Sequence, residues 1–311
     1  MYHGRTIFVV IPAYDVAGHI AQVVKGIPEF VDRIVVVNDA SSDDTLEILA
    51  GIPDPRLTVR SHAVNEGVGG AMVTGFRIAL DEGAGVVVKM DGDGQMDPGQ
   101  LSALLDPIVK DGYAYCKGNR FLSEEQLRSM PKRRLIGTFV LTFLTKLVSG
   151  YWHIFDPVNG FIAIDAAMLR RLPLKRIARR YFFETDMLVQ LNVFRARIKD
   201  VDIPARYGDE RSSMDLAQVA TTFPLYLFHR FWYRLYYRHI LRDFSTVAVF
   251  WIAGLTLFSW GAVFGALTWL HSTFVGPAAT TGTVMLSALP LILGFQLILQ
   301  AISIEIQESP R

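Results

Sequence analysis

Short apolar runs alternate with longer amphipathic stretches along residues 1–120. The predicted strands are Thr6–Ile11, Arg33–Asn38, Leu57–Ser61, Val86–Asp91 and Ala114–Gly118. The predicted helices are Gly18–Ile27, Asp44–Ala50, Gly70–Glu82 and Pro98–Lys110. Strands such as Ile34-Val-Val-Val37 are apolar at consecutive positions, which indicates burial on both faces. The pattern therefore predicts a mostly parallel sheet with helices on both sides.

The last part of the chain has a different pattern. No Asp, Glu, Lys or Arg occurs between Phe244 and Ile304, and two apolar runs, 245–270 and 284–304, lie in this stretch. Each run is long enough to cross ~30 Å of hydrocarbon. The linker between the runs has no formal charge, whereas basic residues precede the first run. By the positive-inside rule, the sequence predicts two membrane spans with both chain ends in the cytoplasm.

Four arginines precede the first apolar run at intervals of four residues. They are Arg230, Arg234, Arg238 and Arg242. On an α-helix this spacing forms one basic stripe, and aromatic residues fill the positions between the arginines. The combination is typical of a helix at a lipid headgroup interface, where arginine reaches lipid phosphates. We therefore expect amphipathic interface helices at residues 215–243.

Composition agrees with a globular domain followed by a membrane segment. The chain has 311 residues, of which 51% are hydrophobic and 20% charged, and this excludes disordered and collagen-like proteins. Its 31 basic and 30 acidic residues give a net charge of +1, so nothing in the charge indicates a nucleic-acid partner. We predict a cytoplasmic domain at 1–214, interface helices at 215–243 and two transmembrane helices at 244–306.

Polar residues follow the predicted strands at their carboxyl ends, where open α/β sheets bind ligands. Pro12-Ala-Tyr14-Asp15 follows the first strand, and Asp39 follows the second. Two interpretations of Asp39 stay open, because it is suited either to build a turn or to accept a hydrogen bond from a nucleobase. Asn65-Glu-Gly67-Val-Gly69-Gly70 follows the third strand, and its bare backbone N–H groups are suited to approach a phosphate or ribose.

An acidic turn follows the fourth strand. Its sequence is Asp91-Gly-Asp93-Gly-Gln95-Met-Asp97-Pro98. Two carboxylates two residues apart can meet one hard divalent cation that keeps positions open for substrate phosphates. Gln95 adds an amide oxygen, whereas Asp97 before proline is the expected N-cap of the next helix. The turn therefore predicts a metal and diphosphate site.

In order and spacing, these motifs resemble family 2 nucleotide-sugar glycosyltransferases, which have the GT-A fold. The matching segments are Pro12–Asp15, Asn38–Ser41, Asn65–Gly69, Asp91–Gln95, Gly118–Phe121 and Asp156–Phe161. With two C-terminal spans, the chain is similar to polyprenyl-phosphate glycosyltransferases of the dolichyl-phosphate mannose synthase type. The resemblance implies an α/β fold with a Rossmann-like, mostly parallel sheet. It also implies metal-dependent, inverting transfer of a sugar from a GDP- or UDP-sugar to a dolichyl or undecaprenyl phosphate.

The resemblance also implies roles for individual positions. The residues implied to bind the nucleotide-sugar are Pro12, Tyr14, Asp15, Asp39, Gly67 and Asp91. Those implied to bind Mg²⁺ or Mn²⁺ are Asp91, Asp93 and Gln95, and those implied to bind the lipid phosphate are Lys132, Arg133 and Arg134. The residues implied to be catalytic are Asp93, Arg120 and Asp186. The implied partners are a nucleotide-sugar donor, a polyprenyl-phosphate acceptor and the lipid bilayer, and a homo-oligomer stays open.

The chemistry of the acceptor decides whether a base is needed. A lipid phosphate is largely dianionic at cytoplasmic pH and requires no strong general base, unlike a sugar hydroxyl. If a base is used, Asp156, Glu184 and Asp186 stay open as candidates. Two alternative functions also stay open: transfer to a hydroxyl of a glycolipid or polysaccharide, and binding of a nucleotide-sugar at a membrane without catalysis.

Overall fold

A computed structural model describes residues 1–120, 132–157, 159–203 and 216–310. Among these, it describes the backbone alone at 132–136, 138 and 216–221. The described chain divides into two compact units, Met1–Phe231 together with Pro310, and Trp232–Ser309. The first unit contains the sheet and its helices, and the second contains the two long apolar helices.

A seven-stranded sheet forms the centre of the first unit. Its strands are β1 (Ile7–Ala13), β2 (Arg33–Asn38), β3 (Leu57–Ser61), β4 (Val86–Lys89), β5 (Tyr115–Asn119), β6 (Ile162–Asp165) and β7 (Ile198–Asp202). The strand order is β3-β2-β1-β4-β6-β5-β7, and β6 is antiparallel to both of its neighbours while the other pairs are parallel. This confirms the predicted mostly parallel sheet.

The described α-helices lie in both units, and those of the first unit connect and cover the strands. They are α1 (Ile20–Gly26), α2 (Thr45–Ala50), α3 (Val68–Asp81), α4 (Leu101–Val109), α5 (Lys132–Ser149), α6 (Ala166–Arg171), α7 (Phe183–Val193), α8 (Leu216–Arg234), α9 (Thr246–Phe274) and α10 (Thr281–Gln307). The first five strands lie within two residues of their predicted limits. β1 extends to Ala13 because Ala13 still pairs with Asn38, and β4 ends early because the chain turns at Asp91.

Two apolar layers lie on opposite faces of the sheet. Side chains along β1 point alternately into one layer and the other. Phe8 and Val10 pack in the layer that contains α3 and α7, whereas Val9 and Ile11 pack in the layer that contains α1 and α4. All four side chains are buried. The continuous apolar strand pattern therefore arises because no face of the central strands meets water.

The second unit pairs the two long apolar helices through small residues. A Cβ atom on Gly261 of α9 would lie 2.6 Å from the backbone nitrogen of Leu291, and one on Gly294 of α10 would lie 2.3 Å from that of Phe258. The glycines thus let the two backbones approach closely, as in helix pairs within membranes. By length and composition, both helices could cross a membrane.

The basic stripe before α9 does not face outward as a whole. Within the second unit, Arg234 is fully buried and donates to both carboxylate oxygens of Glu305, at 3.0 and 3.2 Å. Arg238 is buried as well, and the chain from Leu235 to Leu241 is a π-helix, which changes the spacing of side chains. The expectation of one stripe directed at lipid headgroups is therefore wrong, because Arg234 and Arg238 are both buried and Arg234 pairs with Glu305.

Candidate functional site

The acidic turn lies at the carboxyl end of β4, and a buried lysine holds its first carboxylate. Lys89, the last residue of β4, donates from Nζ to Asp91 Oδ1 at 2.6 Å and lies 3.4 Å from Glu184 Oε1. It also donates to the carbonyl oxygen of Gly160 at 3.2 Å. A Cβ atom at position 160 would lie 2.4 Å from Nζ and 2.8 Å from Asp91 Oδ2. Glycine at 160 therefore leaves the space that this pair of charges occupies.

The electrostatics of this cluster keep Lys89 charged. Burial lowers the pKa of Lys89, but the carboxylates of Asp91 and Glu184 outweigh burial, so its pKa is raised overall. Burial raises the pKa of Glu184, and the charge of Lys89 opposes that rise. The side chain of Asp91 stays 31% exposed, so the carboxylate that Lys89 orients can still reach a ligand.

The second carboxylate of the turn is fixed locally. Asp93 Oδ1 accepts from the backbone N–H of Gln95 at 3.0 Å, and Gly94 has a φ of 78°, a conformation that favours glycine. Asp97 accepts from the N–H of Gly99 at 3.0 Å, which confirms its predicted role as an N-cap. The side chain of Gln95 is exposed on the same turn.

The donor set fits a divalent cation that shares its shell with a substrate. Among the described side chains, no group of three or more His, Cys, Asp or Glu residues is arranged to hold a metal ion by itself. Mg²⁺ is usually bound through one or two carboxylates together with substrate phosphates. Asp91 and Asp93 supply that number, so the residues present fit such a cation.

Asp39 lies at the end of β2 and is held by three donors. Its carboxylate accepts from His62 Nδ1 at 2.7 Å and from the backbone N–H groups of Glu66 at 2.9 Å and Gly67 at 2.7 Å. The other ring nitrogen of His62 lies 2.9 Å from the hydroxyl of Thr74 on α3. Asp39 is only 3% exposed. The carboxylate therefore organises the loop after β3, and a nucleobase would use its remaining acceptor capacity.

The segment after β1 forms the open side of this region. Pro12 is a half-buried residue of β1, and the side chain of Tyr14 is 50% exposed. The neighbouring Asp15 carboxylate raises the pKa of Tyr14. Asp15 has a φ of 51° and accepts from the backbone N–H of Ser42 at 2.7 Å. The structure thus brings the ends of β1 and β2 together, as their parallel pairing requires.

The glycine-rich loop, Asn65–Gly70, packs against the protein's own backbone. A Cβ atom on Gly69 would lie 2.0 Å from the carbonyl oxygen of Ala178, and one on Gly67 would lie 2.6 Å from that of Arg179. Gly70 donates its N–H to the Arg179 carbonyl at 3.1 Å. Contact with the 178–180 segment thus requires glycine at 67 and 69 independently of any ligand, and Gly67 also has a φ of 83°.

A substitution at Gly69 tests this interpretation. Replacing Gly69 with alanine is expected to lower the free energy of unfolding by about 1–3 kcal/mol, because the new methyl group meets a backbone carbonyl. Gly18→Ala is the matched control, since no atom lies within 4 Å of its Cβ position. Denaturant unfolding of the full chain, followed by tryptophan fluorescence, measures both. Equal stability of the two variants would contradict the packing described.

Arg120 is clamped by a buried carboxylate at the other end of the site. Its guanidinium donates to both oxygens of Asp156, from Nε at 2.8 Å and from Nη2 at 2.9 Å. Burial would raise the pKa of Asp156, but the hydrogen bonds and charge of Arg120 hold it below its ordinary value. Asp156 is therefore an orienting group for Arg120 and is poorly suited to act as a base.

The structure separates the two acids of helix α7. Glu184 lies beside Lys89, whereas the side chain of Asp186 is fully buried and bound to Arg230 at 2.7 Å. Residues two positions apart on an α-helix point in directions about 200° apart, so Glu184 and Asp186 cannot face the same site. Asp186, predicted to be catalytic, is thus not brought to the acidic turn. The acid that reaches it is Glu184.

Helix α5 presents apolar side chains to its surroundings. Phe139, Val140, Phe143 and Leu144 are between 37% and 56% exposed, and they recur at helical spacing on one side of the helix. Lys132, Arg133 and Arg134 form the start of α5, but their side chains lie outside the described part of the structure. Their proposed role as phosphate ligands stays a prediction.

Two residues that organise this site, Lys89 and His62, are not among those predicted from the sequence. Lys89 is the only charged residue of an otherwise apolar strand and stands two positions before Asp91, which is the signal that could have revealed it. His62 follows β3 directly, as the other polar site residues follow their strands, but nothing in its spacing connects it to Asp39. Both act by holding a predicted carboxylate.

Known proteins resemble this chain over most of its length. It is 28% identical over 220 residues to a UDP-N-acetylglucosamine–dolichyl-phosphate N-acetylglucosaminyltransferase of Methanococcus voltae, a match that covers 66% of this chain and 87% of that one. It is 30% identical over 173 residues to an undecaprenyl-phosphate mannosyltransferase of Micrococcus luteus, covering 55% and 70% of the two chains.

The chain also resembles a solved structure and matches a family model. Glucosyl-3-phosphoglycerate synthase of Mycobacterium tuberculosis, crystallised with Mn²⁺, UDP and glucosyl-3-phosphoglycerate, matches with a TM-score of 0.56 and 22% identity. The match covers 73% of this chain and 80% of that one, which confirms the predicted GT-A fold. Residues 8–177, more than half of the chain, match glycosyl transferase family 2. This chain therefore belongs to glycosyl transferase family 2.

Proposed function

We propose that this enzyme transfers a sugar from a UDP- or GDP-sugar to a polyprenyl phosphate, with inversion, in a membrane and with Mg²⁺ or Mn²⁺. The observation that carries the proposal is the occurrence, on one chain, of the acidic turn after β4 and two long apolar helices. The relatives named above support the acceptor class, since their names contain dolichyl phosphate and undecaprenyl phosphate. UDP in the name of the first relative supports a uridine donor.

The donor end of the site is built to bind a nucleoside diphosphate. Tyr14, Asp15 and Asp39 surround the ends of β1 and β2, where we place the nucleoside. Asp91 and Asp93, with Gln95 beside them, would hold the divalent cation. When bound, the cation supplies positive charge to the diphosphate leaving group. The Lys89 ammonium fixes the orientation of Asp91 before any ligand arrives.

In addition to the cation, the guanidinium of Arg120 supplies positive charge from a protein side chain. Asp156 holds its guanidinium through two hydrogen bonds, so little reorganisation is needed when negative charge develops on a phosphate nearby. The nucleophile is an oxygen of the lipid phosphate, which attacks the anomeric carbon as the bond to the nucleoside diphosphate breaks. Because that oxygen is already ionised, no proton has to leave, and the engagement of Asp156 with Arg120 does not impede the reaction.

The acceptor end requires cations and an apolar surface. The exposed apolar side chains of α5 offer that surface, and the basic start of the same helix offers the cations. We place residues 1–214 and both chain ends in the cytoplasm, with interface helices at 215–243 and the two spans at 244–306. This arrangement puts a water-soluble donor and a membrane-bound acceptor within reach of one site.

The direct test is a transfer assay on the full chain in detergent. The purified protein is incubated with Mn²⁺, a short polyprenyl phosphate and a panel of UDP- and GDP-sugars. Lipid-linked sugar and free nucleoside diphosphate are both measured. We expect one donor to give equal amounts of the two products, and a chelator to stop the reaction. Transfer to a hydroxyl acceptor alone, or donor binding without transfer, would overturn the proposal.

The basic start of α5 gives a prediction about the acceptor. Replacing Arg133 or Arg134 with alanine is expected to raise the KM for polyprenyl phosphate about 10-fold while the KM for the nucleotide-sugar changes little, because a charged hydrogen bond to phosphate is lost. Arg33→Ala is the control, since Arg33 is an exposed residue at the opposite end of β2. Steady-state kinetics with each substrate varied separately measure the effect. A larger change in the donor KM would assign these residues to the donor.

A further inference from the structure

A single buried carboxylate ties helix α8 to the segment before helix α7. Asp186 Oδ2 accepts from Arg230 Nη2 at 2.7 Å and from the backbone N–H of Ala178 at 2.8 Å. The same Nη2 group donates to the carbonyl oxygen of Arg176 at 2.6 Å. Burial raises the pKa of the fully buried Asp186, and the charge of Arg230 and the N–H of Ala178 oppose that rise. Arg230 thus fixes the Arg176 end of the Arg176–Ala178 segment, and Asp186 fixes the Ala178 end.

Aromatic packing holds the same helix against the same segment. Phe182, at the start of α7, packs edge to face on Phe223 and stacks on Tyr226, with ring centroids 5.3 and 5.4 Å apart. Phe223 is buried. The ion pair between Arg230 and Asp186 is therefore part of a packed contact and not an isolated surface pair. Helix α8 is also the element that leads along the chain into the two apolar helices.

The segment held by Arg230 supports the glycine-rich loop. Its Arg179 carbonyl accepts from the N–H of Gly70 at 3.1 Å, and the side chain of Arg179 lies 3.1 Å from Glu66. The loop cannot move toward the segment, because Gly67 and Gly69 already leave no space for a Cβ atom. The position of the 178–180 backbone therefore determines the position of the loop.

The loop in turn determines where the Asp39 carboxylate points. Two of the three groups that donate to Asp39 are backbone N–H groups of this loop, from Glu66 and Gly67. The donor–acceptor distances of these two bonds are 2.9 and 2.7 Å. A small displacement of the loop away from Asp39 would lengthen and weaken both bonds. The contacts from Arg230 to Asp39 thus form an unbroken series of hydrogen bonds and close backbone packing.

We propose that Arg230 and Asp186 are positioning residues for the nucleoside end of the donor site. The two side chains hold the Arg176–Arg180 segment in place. That segment supports the glycine-rich loop, and the loop orients Asp39. The inference rests on the proposed function in one respect, namely that Asp39 contacts the nucleoside. It assigns to Asp186 a role in donor affinity and none in proton transfer. It also makes donor affinity depend on helix α8, which precedes the apolar helices.

The test measures nucleotide binding without any lipid acceptor. Calorimetry of the full chain in detergent with Mn²⁺ gives the Kd for UDP and for GDP. We expect Arg230→Met to weaken binding of the preferred nucleotide at least 10-fold. Arg230→Lys should have an intermediate effect, because lysine keeps the positive charge opposite Asp186 but its ammonium does not reproduce the position and planar geometry of the Nη2 group that makes both bonds. Arg33→Met, which removes an exposed arginine with a partner 3.9 Å away, should have no effect.

Amide hydrogen exchange separates positioning from mere stability. We expect faster exchange at Glu66, Gly67 and Gly70 in Arg230→Met and in Asp186→Asn, and a higher donor KM with little change in kcat. A purely structural role would lower the unfolding midpoint but leave the nucleotide affinity of the folded protein unchanged. If Arg230→Met does not fold, Arg230→Lys and Asp186→Asn decide the question. Wild-type affinity with wild-type exchange at these amides would overturn the proposal.

The two proposals fail in different ways. Nucleotide binding without sugar transfer to a lipid phosphate would overturn the acceptor assignment and leave the positioning role intact. Unaltered nucleotide affinity in Arg230→Met, in a protein that does transfer sugar to lipid phosphate, would overturn the positioning role alone. If the wild type binds neither UDP nor GDP, the nucleoside assignment of Asp39 fails, and with it the positioning role.

Discussion

Replacing Asp93 with asparagine is expected to reduce sugar transfer about 100-fold or more while the protein stays folded. The substitution keeps an oxygen that can accept from the backbone N–H of Gln95, so the turn retains that hydrogen bond. It removes one of the two negative charges available to a divalent cation. Losing one preorganised electrostatic contact to a developing charge typically has an effect of this size. Mn²⁺-dependent binding of UDP or GDP, measured by calorimetry, should weaken in parallel.

A second aspartate on the same turn provides the control. Asp97→Asn is the same chemical change four residues later, at a side chain whose role is to cap a helix. Asparagine caps helices about as well as aspartate, so this variant should keep wild-type transfer and wild-type cation dependence. If Asp93→Asn kept wild-type turnover, or if both variants lost it equally, the assignment of Asp93 to the cation would be wrong.

The sheet could be predicted because its strands are buried on both faces. A strand such as β2, with Ile34, Val35, Val36 and Val37 in sequence, has the pattern typical of a strand buried on both faces. The polar residues that end the strands were predictable for a related reason. In a parallel sheet the carboxyl ends meet at one edge, so Asp39 and the acidic turn had to lie on the same side.

The contacts between distant elements could not be predicted in this way. Glu184 and Asp186 are both acids in the first turn of α7, and only the rotation of that helix decides which of them faces Lys89. The rotation of α7 about its axis cannot be predicted from its sequence pattern. Ten of its eleven residues are buried, so the helix has no polar face that would mark the side toward solvent. Arg234 shows the same limit, since its partner Glu305 lies far along the chain.

The glycine-rich loop shows that a correct motif can have a different physical cause. The motif was recognised from its glycines, and small residues before a helix suggested a phosphate nearby. The structure shows Gly69 in contact with the backbone at Ala178. The requirement for glycine thus arises from a segment more than a hundred residues later in the chain. A pattern read along the sequence contains no information about such a contact.

Lys89 is expected to have a large effect on stability and activity together. Lys89→Met leaves Glu184, whose side chain is only 12% exposed, without its cation, which should cost about 3–5 kcal/mol in the free energy of unfolding. Asp91 also loses the donor that orients it, and such a loss typically lowers metal affinity or activity 10- to 100-fold. Denaturant unfolding and the transfer assay, corrected for the folded fraction, measure the two effects separately.

The double variant Lys89→Met/Glu184→Gln distinguishes the two roles of the lysine. Removing the carboxylate together with the ammonium leaves no unpaired buried charge, so we expect the double variant to recover much of the lost stability. Turnover should stay low, because Asp91 still lacks its 2.6 Å contact with Nζ. Recovery of wild-type turnover would mean that Lys89 serves only to neutralise Glu184. Low turnover in a stable protein would mean that the active site depends on a lysine within a buried strand to orient its first carboxylate.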